Sequence, residues 1–208
     1  MITVIANLKG GSGKSTFVFN LALWLKEQGE EIISFDLDPQ GTLSDVVELR
    51  ENEEHGAIDV LTDVDQLLSC SADHVLVDVG ASDMQAMKQA VKAAGRIIIP
   101  VPPGQPDLWA TQRFLNIVKN CDIDKNKTQL LVFVNRADTH VMVRESDETE
   151  KALRSLKNIT VLPHRLCQRT VFRRTLSEGM SINEMAPGSK GAKEFNDLAK
   201  AIFPELVC

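Results

Sequence analysis

The chain has 208 residues, 43% hydrophobic and 25% charged, with a net charge of −6, a composition that fits one globular domain able to bury a substantial core. No apolar run reaches the roughly 18–20 residues that span a bilayer, and the opening residues lack the charged, apolar and cleavage regions of a signal peptide. Cys70, Cys121, Cys167 and Cys208 are scattered without a CxxC pair, which argues against a zinc or iron–sulfur site and fits reduced thiols in the cytoplasm.

The first element is "ITVIAN", an apolar, β-branched run that reads as a buried strand. "LKGGSGKST" follows, and a helical pattern then runs from Ser15 to Gln28. Its centre, "FVFNLALWL", is apolar on nearly every face, so this helix should be buried, with Gly29 as its C-terminal cap. "EIISFD" reads as the second strand, and "ELRENEEHG" as an acidic surface loop. "HVLVDV", "RIIIPV" and "TQLLVFVN" give three more strands, with helical stretches at 83–94, 107–120 and 146–156. "PGSKG" then turns into a final helix whose Phe195, Leu198, Ala199, Ile202 and Phe203 have core-facing spacing. The alternation predicts an α/β fold: one domain over residues 1–208, a mostly parallel twisted sheet with helices on both faces. Right-handed crossovers put the glycine-rich loop at the carboxyl edge of the first strand.

A loop between strand and helix, ending in GKS, is the context of a phosphate-binding loop. Gly10, Gly11 and Gly13 let backbone N–H groups turn inward around Ser12, and the helix beginning near Lys14 adds its positive end. Lys14 should reach the β- and γ-phosphates, the Ser15 hydroxyl should ligate Mg²⁺, and Thr16 completes the loop. The common form, GxxxxGK, asks for glycine where this chain has Leu8, and it places Lys9 next. On the residues alone, Lys9 is a solvated lysine near phosphate.

"KGGSGKS" resembles the deviant Walker A motif of the ParA/MinD family of dimeric ATPases. The resemblance gives Lys9 a role across a dimer interface, on the nucleotide of the other subunit, and implies an ATP-driven homodimer or a higher assembly of such dimers. "SFDLDPQGTLSD" resembles the family's switch motif: Asp38 would orient the attacking water, with Asp36 near the magnesium shell. "DHVLVDVGAS" is similar to a Walker B strand, with Asp78 on a magnesium-bound water and Gly80 allowing close approach to the γ-phosphate. In "LLVFVNRAD" the family commonly reads adenine with the asparagine, which makes Asn135, beside Arg136, the base-contact candidate; NRxD is also similar to the guanine-reading NKxD of GTPases. "PVPPGQPDLW", from Pro100 to Trp109, resembles the proline-rich segment of small plasmid partition ATPases, where it borders nucleotide and dimer interface, and Pro102, Pro103 and Pro106 would stiffen such a loop. The implied activity is slow ATP hydrolysis with Mg²⁺, with Lys9, Lys14 and Asp38 as catalytic residues.

Charge is unevenly distributed. From Lys151 to Ser177 there are seven basic and no acidic residues, a +7 segment in a chain whose remainder carries −13. Such asymmetry suggests a polyanion-facing surface; pairing with acidic neighbours such as "ENEE" is the structural alternative. Arg165, Arg169, Arg173 and Arg174 are the DNA-binding candidates, and Val171, Phe172 and Leu176 would turn to the core. The ends of the chain resemble small, ParF-like partition proteins with no room for an N-terminal helix-turn-helix extension. The resemblance therefore implies non-specific DNA binding, nucleoid association in the ATP state, and a small centromere-binding or cargo adaptor partner that stimulates hydrolysis. The cargo could be a plasmid, a chromosome origin, a conjugative element or a protein microcompartment. Two other readings remain: a MinD-like membrane-positioning ATPase, which the mixed polar face of the last helix disfavours, and a metabolic ATP-dependent ligase on the same scaffold.

Overall fold

The computed structural model describes residues 1–124, 127–140 and 142–206, so Cys208 lies outside the described residues. Eight strands form one sheet in the order β3-β2-β4-β1-β5-β6-β7, with β8 paired to β6. They are β1 (Ile2–Ala6), β2 (Ile32–Asp36), β3 (Val60–Leu61), β4 (His74–Val79), β5 (Arg96–Val101), β6 (Gln129–Ala137), β7 (Thr160–Val161) and β8 (Leu166–Cys167). Every pairing is parallel, as the continuous β-branched runs require of strands covered on both faces. β1 lies between β4 and β5, so the chain leaves it toward one edge of the sheet and later crosses to the other. That reversal opens a crevice at the carboxyl end of β1.

The helices are α1 (Lys14–Glu27), α2 (Thr42–Asn52), α3 (Met84–Ala93), α4 (Gln105–Lys119), α5 (Glu145–Arg154), α6 (Thr170–Glu178), α7 (Ile182–Met185) and α8 (Lys190–Ile202). One core layer joins α1, α2, α7 and α8 to the sheet, and α6 packs on it through Val171, Phe172 and Leu176. The opposite layer is built from α3, α4 and α5. Residues 17–25 of α1 are buried without exception, and Gly29 ends the helix with φ 88°. Asn20 is the polar member of that buried run. Its Oδ1 accepts from the Ile182 N–H at 2.7 Å and its Nδ2 donates to Thr175 Oγ1 at 3.1 Å, which ties α1 to α6 and α7. The apolar residues expected along α8 are all buried, and Ser189 caps its first turn.

Two expectations are corrected. Most of "ELRENEEHG" is not a loop: residues up to Asn52 are the end of α2, because Leu43, Val46, Val47 and Arg50 recur at helical spacing and bury one narrow stripe. The proline-rich segment is a loop only at 102–104; Pro100 lies in β5, and α4 begins at Gln105 with Pro106 in its first turn, a position where a missing N–H is harmless.

Candidate functional site

The loop from Leu8 to Gly13 crosses the crevice between β1 and α1. Gly13 caps α1 in the left-handed region, φ 86°, and a Cβ there would collide with the Asn135 amide, so glycine is required twice over. Lys14 is buried behind the loop and Ser15 is half-buried beside it. Asn7, just before the loop, was not singled out by sequence. Its Nδ2 donates to the Pro100 carbonyl at 2.9 Å and its Oδ1 accepts from the Lys9 N–H at 3.2 Å, which anchors the start of the loop to β5.

Asn135 and Arg136 both reach the loop, although neighbours in a strand normally face opposite ways. An irregularity in the β6–β8 ladder between Asn135 and Ala137, with Arg136 at φ 57°, redirects them. Asn135 Nδ2 donates to the Ser12 carbonyl and Arg136 NH1 to the Gly11 carbonyl, each at 2.7 Å. Arg136 Nε also donates to Gln168 Oε1 at 3.0 Å. A cavity of about 400 Å³ extends from the loop along the segment after β8, past Asn135, Arg136, Gln168 and Arg173. That is room for a small organic ligand. Gln168 carried no signal in sequence; it joins the site only because β8 adds to β6.

Three aspartates gather beside the loop, and one of them, Asp78, faces Lys14 and Ser15. Asp36 and Asp78 are register partners on β2 and β4, so their carboxylates sit side by side. Asp36 is committed to the switch turn: one oxygen accepts from the Ser44 N–H (2.8 Å) and hydroxyl (2.9 Å), the other from the Asp38 N–H at 3.3 Å. Asp38 is partly exposed, accepts from the Gln40 N–H at 3.1 Å, and lies over Gly80, where any Cβ would overlap its carboxylate. Gly80 therefore makes room for Asp38. Asp78 is fully buried, and neither of its oxygens meets a donor in full hydrogen-bond geometry among the described residues, the Ser15 hydroxyl being the neighbouring donor. Burial pushes its carboxyl up to about 7, against the pull of Ser15 and Lys14 and helped by Asp36 and Asp38. A buried carboxylate with unused lone pairs beside a serine hydroxyl fits a hydrated divalent cation. No three His, Cys, Asp or Glu residues converge to hold a metal alone among the described residues, so Ser15 and Asp78 would share it with phosphate oxygens and water, the usual habit of Mg²⁺.

Lys9 is engaged within its own chain. Its Nζ pairs with Asp107 Oδ2 at 2.7 Å, the lysine side chain 43% and the carboxylate 8% exposed. Asp107 stands in the first turn of α4, where the helix end favours an anion. Of the four arginines expected on DNA, Arg165 binds Asp147 and Glu150, and Arg169 binds Glu194. These bonds hold both guanidinium groups above their ordinary range. Arg174 pairs loosely with Glu178 at 3.6 Å, while Arg173 is exposed at the cavity rim. None of the recorded partners is in "ENEE".

A parallel sheet with a glycine-rich loop at its switch point, a lysine behind the loop and a buried carboxylate opposite a serine defines a nucleotide-binding domain. Residues 3–182 match the CobQ/CobB/MinD/ParA nucleotide binding domain, and the chain belongs to that family. It is 30% identical, over 96% of its length and 95% of the relative's, to the maintenance of carboxysome distribution protein A of Halothiobacillus neapolitanus. Among solved structures it superposes on an alanine variant of McdA from Cyanothece in complex with ATP, TM-score 0.80 at 18% identity, covering 97% of this chain and 95% of that one. A plasmid partition protein from Borrelia burgdorferi B31 bound to AMPPNP gives TM-score 0.77 at 16% identity, with 98% of each chain covered. No helix among the described residues is long and apolar enough to cross a membrane.

Proposed function

We propose that this chain is a Mg²⁺-dependent ATPase with slow basal turnover that dimerises on ATP, binds duplex DNA non-specifically, and positions a cargo through an adaptor protein that stimulates hydrolysis. The observation that carries the reading is the buried Asp78, both oxygens short of a full hydrogen bond, opposite Lys14 and Ser15. It supports a site completed by a cation and a polyphosphate. When bound, Mg²⁺ would neutralise charge developing on the phosphates. Lys14 would hold those phosphates from behind the loop, Ser15 and Asp78 would hold the cation, and Asp38, partly exposed at the site's edge, would accept a hydrogen bond from the attacking water. Asn135 and Arg136 brace the loop and border the space for the base.

Partition and positioning relatives support the class, and the likeness to a carboxysome distribution protein over nearly the whole chain supports a protein assembly as cargo beside a plasmid. A membrane-anchored reading has less support, since the apolar face of α8 is packed into the core. The test is phosphate release with and without Mg²⁺, together with sedimentation on a slowly hydrolysed ATP analogue. Lys14→Ala should lose nucleotide binding. Asp38→Ala should bind, dimerise and lose hydrolysis, while Lys9→Ala should bind yet stay monomeric. Unchanged turnover in Asp38→Ala would overturn its assigned role.

A further inference from the structure

α3 and α4 lie side by side on one layer. α3 contains no acidic residue, and α4 contains only Asp107, which is buried and held by Lys9. The outward cations of these helices are Lys88, Lys92, Arg113 and Lys119. All four are exposed, and no ion pair is recorded for any of them among the described residues. Between them stand exposed amides, Gln85, Gln89, Gln112, Asn116 and Asn120, which can donate to anionic oxygens. Lys88 and Lys92 are one turn apart on α3, about 5–6 Å between Cβ atoms, and border an open groove of about 610 Å³ whose far wall is Ile117, Asn120 and Cys121. Acids flank the face only at its ends: Asp83 is bound to the first N–H groups of α3, and Asp122 and Asp124 follow α4.

The other basic stretches differ. The arginines before α6 are spent on Asp147, Glu150 and Glu194. α5 carries Glu145, Asp147, Glu148 and Glu150, and α8 sets Glu194 and Asp197 among its lysines. In a chain of net charge −6, the α3–α4 face is a broad exposed surface whose four cations form no ion pair among the described residues and whose acids stand only at its ends. We infer that this face meets the phosphate backbone of duplex DNA, through Lys88, Lys92, Arg113 and Lys119 with the amides between them. The inference rests on the DNA-binding reading above and moves its surface from α6 to the opposite layer of the sheet. Contact is to phosphates, so it is independent of sequence and steeply salt-dependent. A dimer doubles the set, which links DNA affinity to nucleotide state.

The experiment is fluorescence anisotropy on a random-sequence duplex, with an ATP analogue, across a NaCl series. The Lys88→Ala/Lys92→Ala/Arg113→Ala/Lys119→Ala variant should bind the analogue normally, which reports its fold. It should lose at least tenfold in DNA affinity, and its log affinity–log salt slope should shrink by about 0.9 for each contact removed. Lys88→Arg/Lys92→Arg/Lys119→Arg should bind like wild type, as should Arg174→Ala. A quadruple variant with wild-type slope and affinity overturns the inference. So does an unchanged DNA slope with loss of binding to a poly-glutamate probe, which would assign the face to an acidic protein instead. Failure of wild type to bind duplex under any nucleotide condition defeats the DNA reading itself, a result separable from the other two.

Discussion

Asp78 shows how a single residue sacrifices stability for a site. Its carboxyl titrates near 7 rather than at its ordinary 3.8 because burial removes water from the charged form. A carboxyl with a raised folded value stabilises the fold when protonated. That contribution is complete below about pH 4, shrinks as pH rises, and is gone above about 7. Asp78→Asn should therefore match wild type below about pH 4 and exceed it by a few kcal/mol above 7, at about 1.4 kcal/mol for each pH unit. Urea melts of the metal-free proteins across that range measure it, and addition of Mg²⁺ with nucleotide should stabilise wild type more than the variant. At this scale the loop was legible, since GGSGKS carries its chemistry in consecutive residues. Asp107 was not, because its partner lies 98 positions away, and nothing in either local pattern links them.

α2 was the element that sequence concealed. Its four apolar residues stand among three acidic ones, and one member of its buried stripe is an arginine. Arg50, 4% exposed, donates to both Glu184 carboxylate oxygens, at 2.9 and 2.7 Å, and to the Gly179 carbonyl at 2.8 Å, with a further bond to the His55 carbonyl. Glu184 also closes the capping box of α7 with Ser181, so this group fastens the switch helix to the last third of the chain. Arg50→Ala takes the arginine donors from two carbonyls and from a half-buried carboxylate that then keeps only the Ser181 N–H, and should lower unfolding free energy by about 3–5 kcal/mol. A thermal melt that moves by less than a few degrees would contradict that. The two-residue strands β3, β7 and β8 were equally hidden. They are strands by pairing alone, and two residues have no periodicity to read.

Over the whole molecule, the β/α alternation and the helix-covered parallel sheet were readable because each buried strand is a continuous apolar run. The strand order was not, since it depends on which way each crossover turns. That order brings Lys9 and Asp107 together: β1 and β5 are neighbours, so the residues following each meet at the same end of the sheet. Lys9 is then a cation with two suitors, the carboxylate of its own chain and, in the proposed dimer, a triphosphate on the other. A dimer must break two such pairs at once and leave two poorly hydrated carboxylates behind. Triphosphate offers more charge in exchange than diphosphate, so the rivalry itself would discriminate ATP from ADP. Asp107→Asn keeps the shape and withdraws the local bid. At about 1 kcal/mol or less for each partly exposed pair, the dimerisation constant should tighten about tenfold, with some dimer formed on ADP. Sedimentation at matched nucleotide concentrations would detect it, and an unchanged constant would mean that Lys9 is surrendered without contest.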